Sequence, residues 1–496
     1  MKTELVRSGL LVRLNPWIPA VEALLQYDYV AFGGKNGKNV VEKRALYYLT
    51  PEDNCGYFPA GLLERVQAWL TEAGHEYTYK DDRDLTRLFP EPQWGALEGL
   101  RDGQREALEA IATHDHGLVV CSTGFGKSFM IQQLCKIYPD SRFVIAAPGI
   151  AEVRNLSQGL LTRFPADQVG VVGDGMSITN RRITVTTTAS LKKTALEDCD
   201  FFLFDEAHTV GSNKTSADLM SRLTNSRNYG FTATPTGRSD KSDNVLRAVF
   251  GDEIVNYTYN DCQEAGGVTP IEVFIYDIIG DIPSTSSRFG NAFITNKRRF
   301  YWRNEYRNLC IAHLMQKIPQ DQQVLIMVET VDHLITLGEL LPDFALVCGS
   351  NNDLQVRAKK RHITLNNTRI GGAADVNKEI YKDFREGRIN RVISNFVWKQ
   401  AVDIQGLNVL VRADGSPSGI LSVQIPGRLS RLAPGKDRAV LIDFRDMFNK
   451  TATGNYYNRL RHYKRQGWTI NHRGDPLNER FADHQSIPGR TIEVSD

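Results

Sequence analysis

"CSTGFGKS", residues 121–128, follows the apolar run "HGLVV" (116–120) and leads into "FMIQQL" (129–134). A strand that ends in a glycine-rich turn and continues as a helix points several backbone N–H groups at one anion. Gly124 and Gly126 permit the tight turn, Lys127 can reach the β- and γ-phosphates, and Ser128 offers a hydroxyl to Mg2+. Such a turn with a surface lysine also occurs without any ligand, so a second element has to decide. "FFLFDEAH" (201–208) is that element. It carries an apolar strand straight into Asp205 and Glu206, two carboxylates that repel unless a cation or a proton relieves them. Mg2+ bridging the phosphates suits Asp205, and Glu206 can then polarise the attacking water. Together the two stretches predict hydrolysis of a nucleoside triphosphate.

Outward from these stretches, short apolar strands alternate with helical segments: "RFVIAAP", "VGVVG" and "RITVTT" on one side, then "TPIEVFIYDI", "QVLIMVE", "FALVCG", "NRVISN", "LNVLVRA" and "RAVLIDF". Buried strands alternating with helices predict parallel α/β sheets, and their number predicts two domains, 91–264 and 265–450. Residues 1–90 read as a small mixed α/β unit. Its strands "YDYVAF" and "KRALYYLT" flank the turn "GGKNGKN", and "AGLLERVQAWLTEAG" has helical spacing. Residues 451–496 form a basic and aromatic tail.

Composition narrows the class. The chain has 496 residues, 24% charged and 41% hydrophobic, which suits globular domains. A formal net charge of +2 means that any polyanion site must come from local patches. Seven scattered cysteines without a Cys-x-x-Cys pair argue against a zinc site or a disulfide framework. No leader pattern and no membrane-length apolar run is evident, so the expected location is the cytoplasm, with no membrane partner.

"DEAH" (205–208), "TAT" (232–234) and "QIPGRLSR" (424–431), in this order after the phosphate loop, resemble the motifs of superfamily 2 helicases and translocases. The resemblance covers about residues 100–445. It implies two tandem RecA-like domains, with ATP and Mg2+ as cofactors. In that family the first loop position is often a small residue, so Cys121 does not spoil the match. Arg101 and Gln104 in "LRDGQREAL" resemble the adenine-recognition motif, and Thr123, Gly124, Phe125, Gly126, Lys127 and Ser128 the nucleotide cradle. The resemblance makes His208, Thr232 and Thr234 coupling residues between nucleotide and nucleic acid. Gln424, Arg428 and Arg431 would act on the γ-phosphate from the second domain, with both arginines expected on one helical face. "AVDIQGLN" (401–408) has Ala401 where the family has glycine, and leaves Asp403 as a candidate for a ribose or coupling role.

On the nucleic-acid side, Pro148 and Arg154 in "AAPGIAEVRN" and Thr187, Thr188 and Ser190 in "TTTAS" match the family's backbone-binding positions. Three basic-aromatic runs add candidates: Arg298, Arg299 and Trp302 in "NKRRFYWRNEYR", Lys359 and Lys360 in "RAKKRH", and the run "RLRHYKR" (459–465). Phe300, Tyr301 and Trp302 are expected to be available to stack on bases. Residues 57–82 resemble phage UvsW-type recombination helicases, which implies DNA that is single-stranded or branched, and movement 3′-to-5′.

The sequence reading is an ATP-dependent DNA helicase or translocase for forks and junctions, acting as a monomer or transient oligomer beside recombination or replication proteins. Its rivals are a duplex translocase that separates no strands, a nucleotide-gated DNA-binding module, an RNA helicase, and a P-loop kinase. Residues 1–90 are expected to direct the motor to branch points, with Lys35 and Lys38 placed for phosphate contact.

Overall fold

Strands of continuous apolar sequence take the centre of each half of the chain, because a strand covered on both faces has no polar side to turn to water. The structure, a computed structural model, describes residues 3–31, 40–50, 52–210, 213–236, 240–284, 292–349, 353–398 and 404–477. It divides into two compact units, Met1–Asp261 and Cys262–Asp496.

In the first unit, eight strands run in the order Met176–Ser177, Val169–Gly173, Ile183–Thr187, Phe143–Ala147, Phe201–Asp205, Arg227–Thr232, His116–Cys121 and Glu253–Tyr257. All pair in parallel except the two-residue edge strand Met176–Ser177. Arg227–Thr232 and Glu253–Tyr257 go beyond the strands read from the sequence, since "RNYGFT" and "EIVNY" mix polar with apolar residues. Arg227 is fully buried because its guanidinium donates to the Tyr229 hydroxyl at 2.8 Å and to the carbonyls of Ala112 and His114 at 2.8 and 3.0 Å. Register sets Asp205 opposite Phe231 and Thr232 opposite Val120. The ends of three neighbouring strands therefore lie level on one edge of the sheet.

The N-terminal residues add a five-stranded sheet in the order Tyr48–Thr50, Cys55–Pro59, Leu11–Asn15, Thr3–Ser8 and Tyr77–Asp81. Gln26–Ala31 and Val40–Ala45 pair antiparallel, but as a separate two-stranded ribbon. The turn between them, with Lys35 and Lys38, lies outside the described residues. This segment does not stand alone. Ala248, on the helix Asp243–Phe250, belongs to the same apolar cluster as Leu5, Val12, Phe58 and Val66. A Cβ on Gly61 would meet the Arg247 carbonyl at 2.3 Å, so the chain passes that helix at glycine distance. Asp115, just ahead of the strand His116–Cys121, forms an ion pair with the buried Arg7 at 2.8 Å and accepts from the buried Arg83 at 2.5 Å. The boundary expected near residue 90 is a change of pattern, not a gap in packing.

In the second unit seven strands, all parallel, run Ala345–Val347, Arg391–Asn395, Val324–Val328, Val409–Arg412, Ala439–Met447, Ile271–Ile279 and Thr469–Arg473. The last strand corrects the reading of a separate tail. Residues 451–477 complete this unit, through the helix Lys450–Arg465 and a strand added beside Ile271–Ile279. Arg459 and Tyr463, read as nucleic-acid candidates in "RLRHYKR", both bond the buried Asp443 at 2.8 Å. A guanidinium and a phenol tied to a buried carboxylate serve the core. Among the described residues no helix is long and apolar enough to cross a membrane. All seven cysteines are buried.

Candidate active site

The phosphate loop forms where the strand His116–Cys121 gives way to the helix Lys127–Ile137. Gly124 and Gly126 hold φ of +96° and +95°, a region that side chains disfavour. A Cβ on Gly126 would also sit 2.8 Å from Gln104 Nε2, so Gln104 would have to shift. Cys121 is packed inside the sheet, and its carbonyl accepts from Lys127 Nζ at 3.2 Å. Its thiol is accommodated, so glycine is not needed at that position. Thr123 is half-buried in the loop, and Ser128 is exposed on the first helical turn.

Gln104 and Arg101 both reach this loop. Gln104 is buried, donates from Nε2 to the Phe125 carbonyl at 2.6 Å, and accepts from the Arg101 backbone N–H at 2.9 Å. Arg101 also donates to the Gly124 carbonyl at 3.1 Å. Phe125 stacks on Tyr257 with ring centroids 4.7 Å apart. Tyr257 escaped the sequence reading. It ends a strand that "EIVNY" did not announce, and it packs where Gly103 leaves room.

Asp205 is almost fully buried at its strand tip. Burial first, and then the Glu206 charge, push its carboxyl up to about 7; Lys127 opposes this and Glu152 adds to it. Glu152 is a second residue that the motifs did not flag. Glu206 sits at φ +53°, a strained backbone of the sort concentrated at functional sites. Its N–H donates to Asp205 Oδ1 at 3.1 Å. From Glu206 a polar chain runs inward. His208 Nδ1 lies 3.3 Å from Glu206 Oε2 and 3.3 Å from the Thr232 hydroxyl, which accepts from the Thr234 N–H at 3.1 Å. The structure thus brings Lys127, Asp205, Glu206, His208, Thr232 and Thr234 together on one sheet edge.

A divalent cation fits this donor set. A buried carboxyl held up to about 7 beside a second carboxylate gains from a nearby positive charge. Asp205 and the Ser128 hydroxyl are the groups that would hold Mg2+. Among the described residues no group of three or more His, Cys, Asp or Glu could hold a metal. Mg2+ that keeps waters and phosphate oxygens needs no such cluster.

The candidate backbone-binding residues lie at two adjacent strand ends, where Thr187 pairs with Ala147. Half-buried Pro148 follows Ala147. Thr187 caps a short 3-10 helix, accepting from the Ser190 N–H at 3.2 Å and donating to the Ser190 hydroxyl at 2.9 Å. Thr188 donates to the Ala147 carbonyl at 3.2 Å, and Arg154 is paired with Asp174 at 2.6 Å.

In the second unit Arg298, Arg299, Lys359 and Lys360 are exposed. The expected aromatic stack is not available. Phe300, Tyr301 and Trp302 are 2%, 0% and 7% exposed and belong to the unit's main apolar core. Large rings beside arginines looked like a stacking surface, but the π-helical turn Arg298–Trp302 turns them inward. The arginine motif also departs from expectation. The α-helix ends at Gly427, Arg428–Ser430 is a 3-10 turn, and Arg431 is extended at φ −68° and ψ 133°. The two arginines therefore share no helical face. Asp403 and the side chain of Gln424 lie outside the described residues.

Residues 98–237, which span the loop and the acidic strand tip, match the sequence family described as "Type III restriction enzyme, res subunit". A fragment of an HsdR subunit of a type I restriction enzyme from Vibrio vulnificus superposes with a TM-score of 0.56 at 17% identity, covering 90% of this chain and 78% of that one. The two chains share a RecA-like fold of parallel α/β sheets. A second neighbour is the ATP-dependent Type ISP restriction-modification enzyme LlaBIII bound to DNA, with a TM-score of 0.54 at 13% identity over 86% of this chain and 34% of that one. T4 UvsW aligns over 96% of this chain and 100% of its own at 14% identity, but its TM-score of 0.41 is too low to carry weight. No curated protein matches the chain by sequence.

Proposed function

We propose that this protein is an ATP-driven DNA motor that unwinds or branch-migrates forked and junction DNA, moving 3′-to-5′. One observation carries the motor reading: the contiguous chain from Glu206 through His208 to Thr232 and Thr234, beginning beside Asp205 and Lys127. ATP binds with its phosphates against the loop N–H groups and Lys127. Asp205 and Ser128 would hold Mg2+, which would supply positive charge against the phosphates. Glu206 takes a proton from the attacking water, and Arg428 and Arg431 stabilise charge on the transferred group. The state of Glu206 then reaches Thr232 and Thr234 through His208, and these threonines relay it toward the nucleic-acid side. Thr187, Thr188 and Ser190, on the strand end beside Pro148, grip the backbone with short hydroxyl groups, which suits a chain of formal net charge +2.

A second reading has its own support. The matched family and the HsdR fragment are restriction-enzyme subunits, and LlaBIII, a restriction-modification enzyme, was solved on DNA. This favours translocation on duplex without strand separation. ATP hydrolysis should be measured with no nucleic acid, single strand, duplex, fork and RNA, alongside strand displacement on 3′- and 5′-tailed forks and displacement of a triplex-forming strand. Fork-stimulated hydrolysis with 3′-tail unwinding supports the first reading. Triplex displacement without unwinding selects the second, and hydrolysis indifferent to every polymer sinks both. Deleting residues 1–90 would expose the core shared with Ala248, so their targeting role is better tested by Lys35→Glu and Lys38→Glu on junction binding.

A further inference from the structure

Lys436 is an isolated lysine in "APGKDR" (433–438), outside every motif used above, yet it is only 8% exposed. A buried ammonium has to place three N–H donors. Nζ donates to the Leu429 carbonyl at 2.7 Å, the Arg431 carbonyl at 3.1 Å and the Gln405 carbonyl at 3.1 Å. Leu429 and Arg431 lie in the arginine turn, and Gln405 lies two residues beyond Asp403. A turn that ends a helix leaves carbonyls without partners. Lys436 takes two of those in this turn. Thr269 takes the Ser430 carbonyl with its N–H at 2.7 Å and shares the Arg431 carbonyl through its hydroxyl at 3.1 Å. Arg431 is extended here, so no helix holds it in place. The clasp ties down its backbone.

We propose that Lys436 is a positioning residue for ATP hydrolysis, clasping the arginine turn to the segment after Asp403 so that Arg428 and Arg431 are held where they act. This rests on the reading that those arginines stabilise the transferred phosphoryl group. Carbonyl dipoles hold the ammonium in place. Burial first, and then the Arg431 charge, bring its pKa down to about 8. Burial lowers the pKa of Arg431, and Tyr381, on the helix Ala374–Arg385, in turn raises it. Above about pH 8 the neutral amine has two donors and a lone pair facing three carbonyls, so the clasp loosens as pH rises.

The test uses the full chain, with kcat and ATP affinity measured separately between pH 7 and 9.5 for the unsubstituted protein, Lys436→Met, Lys436→Arg and Arg431→Ala. A displacement of an ångström at a catalytic group costs on the order of 10²-fold in rate. Lys436→Met should lose about that much in kcat while ATP affinity changes less than about threefold. Lys436→Arg should recover part of the rate, without the decline above about pH 8 that the unsubstituted protein shows, because a guanidinium stays charged. Normal kcat in Lys436→Met overturns the clasp when Arg431→Ala is slow. If Arg431→Ala is itself fast, the arginine reading fails instead, and the clasp falls with it. Should Lys436→Met not fold, the unsubstituted protein decides: kcat that is flat from pH 7 to 9.5 overturns the proposal.

Discussion

Glu206→Gln tests the acidic pair most directly, because it changes binding and chemistry in opposite directions. Asp205 sits near pKa 7 through burial and through the charge of Glu206. With that midpoint, about half of the molecules carry an ionised Asp205 at pH 7, about one in eleven at pH 6 and about ten in eleven at pH 8. A metal ligand must be ionised. Mg2+-nucleotide binding by the unsubstituted protein should therefore weaken about tenfold between pH 8 and pH 6 beyond the nucleotide's own titration. Neutralising residue 206 lowers the Asp205 midpoint. The substituted protein should then bind up to about tenfold tighter at pH 6 and nearly equally at pH 8, since only the ionised fraction differs. Turnover should fall by roughly 10²–10⁴-fold, the contribution of a positioned base. Fluorescent-nucleotide titrations at fixed Mg2+ from pH 6 to 8 read the first effect, and the nucleotide's titration cancels between the two proteins. Single-turnover hydrolysis reads the second. Equal or weaker binding at pH 6 would refute the electrostatic coupling, and hydrolysis within a few fold of normal would remove Glu206 from water activation.

Arg428→Ala and Arg431→Ala should each lower kcat, by as much as about 10³–10⁵-fold, while ATP affinity stays close to normal; weakened binding with unchanged kcat would make them ground-state ligands. Asp115→Asn should cost about 3–5 kcal/mol in chemical denaturation, because Arg83 keeps Asp81 but the buried Arg7 loses its carboxylate. Burial opposes ionisation of Asp115, yet His116, Arg7 and Arg83 together hold its carboxyl well below the usual range. The stability it contributes is thus full above ordinary carboxylate pKa values and disappears as pH falls through the acid range, and the substituted protein should lack that dependence. Phe300→Ala should cost about 3–5 kcal/mol as a core truncation and leave DNA affinity of the folded protein unchanged; selective loss of single-strand binding would restore the stacking role.

What the sequence determined by itself is what rests on local pattern. Gly124, Gly126, Lys127 and Ser128 were legible because the loop's chemistry and its backbone are one continuous stretch. Asp205 and Glu206 were legible because an apolar strand cannot end in two carboxylates without a reason. Parallel sheets followed from runs such as "FFLFD" and "VLIMV", buried on both faces. Other features are contacts between residues far apart in the chain, and only the tertiary structure decided them. Arg227 is inside its sheet because carbonyls more than a hundred residues away accept from it. Phe300, Tyr301 and Trp302 look like a stacking surface beside their arginines, and a single π-helical turn makes them core. The first ninety residues look detachable until Arg7 and Arg83 meet Asp115. Lys436 carries no local signal at all: its three partners lie from five to thirty-one residues away, and a buried ammonium is acceptable only where folding gathers carbonyls around it.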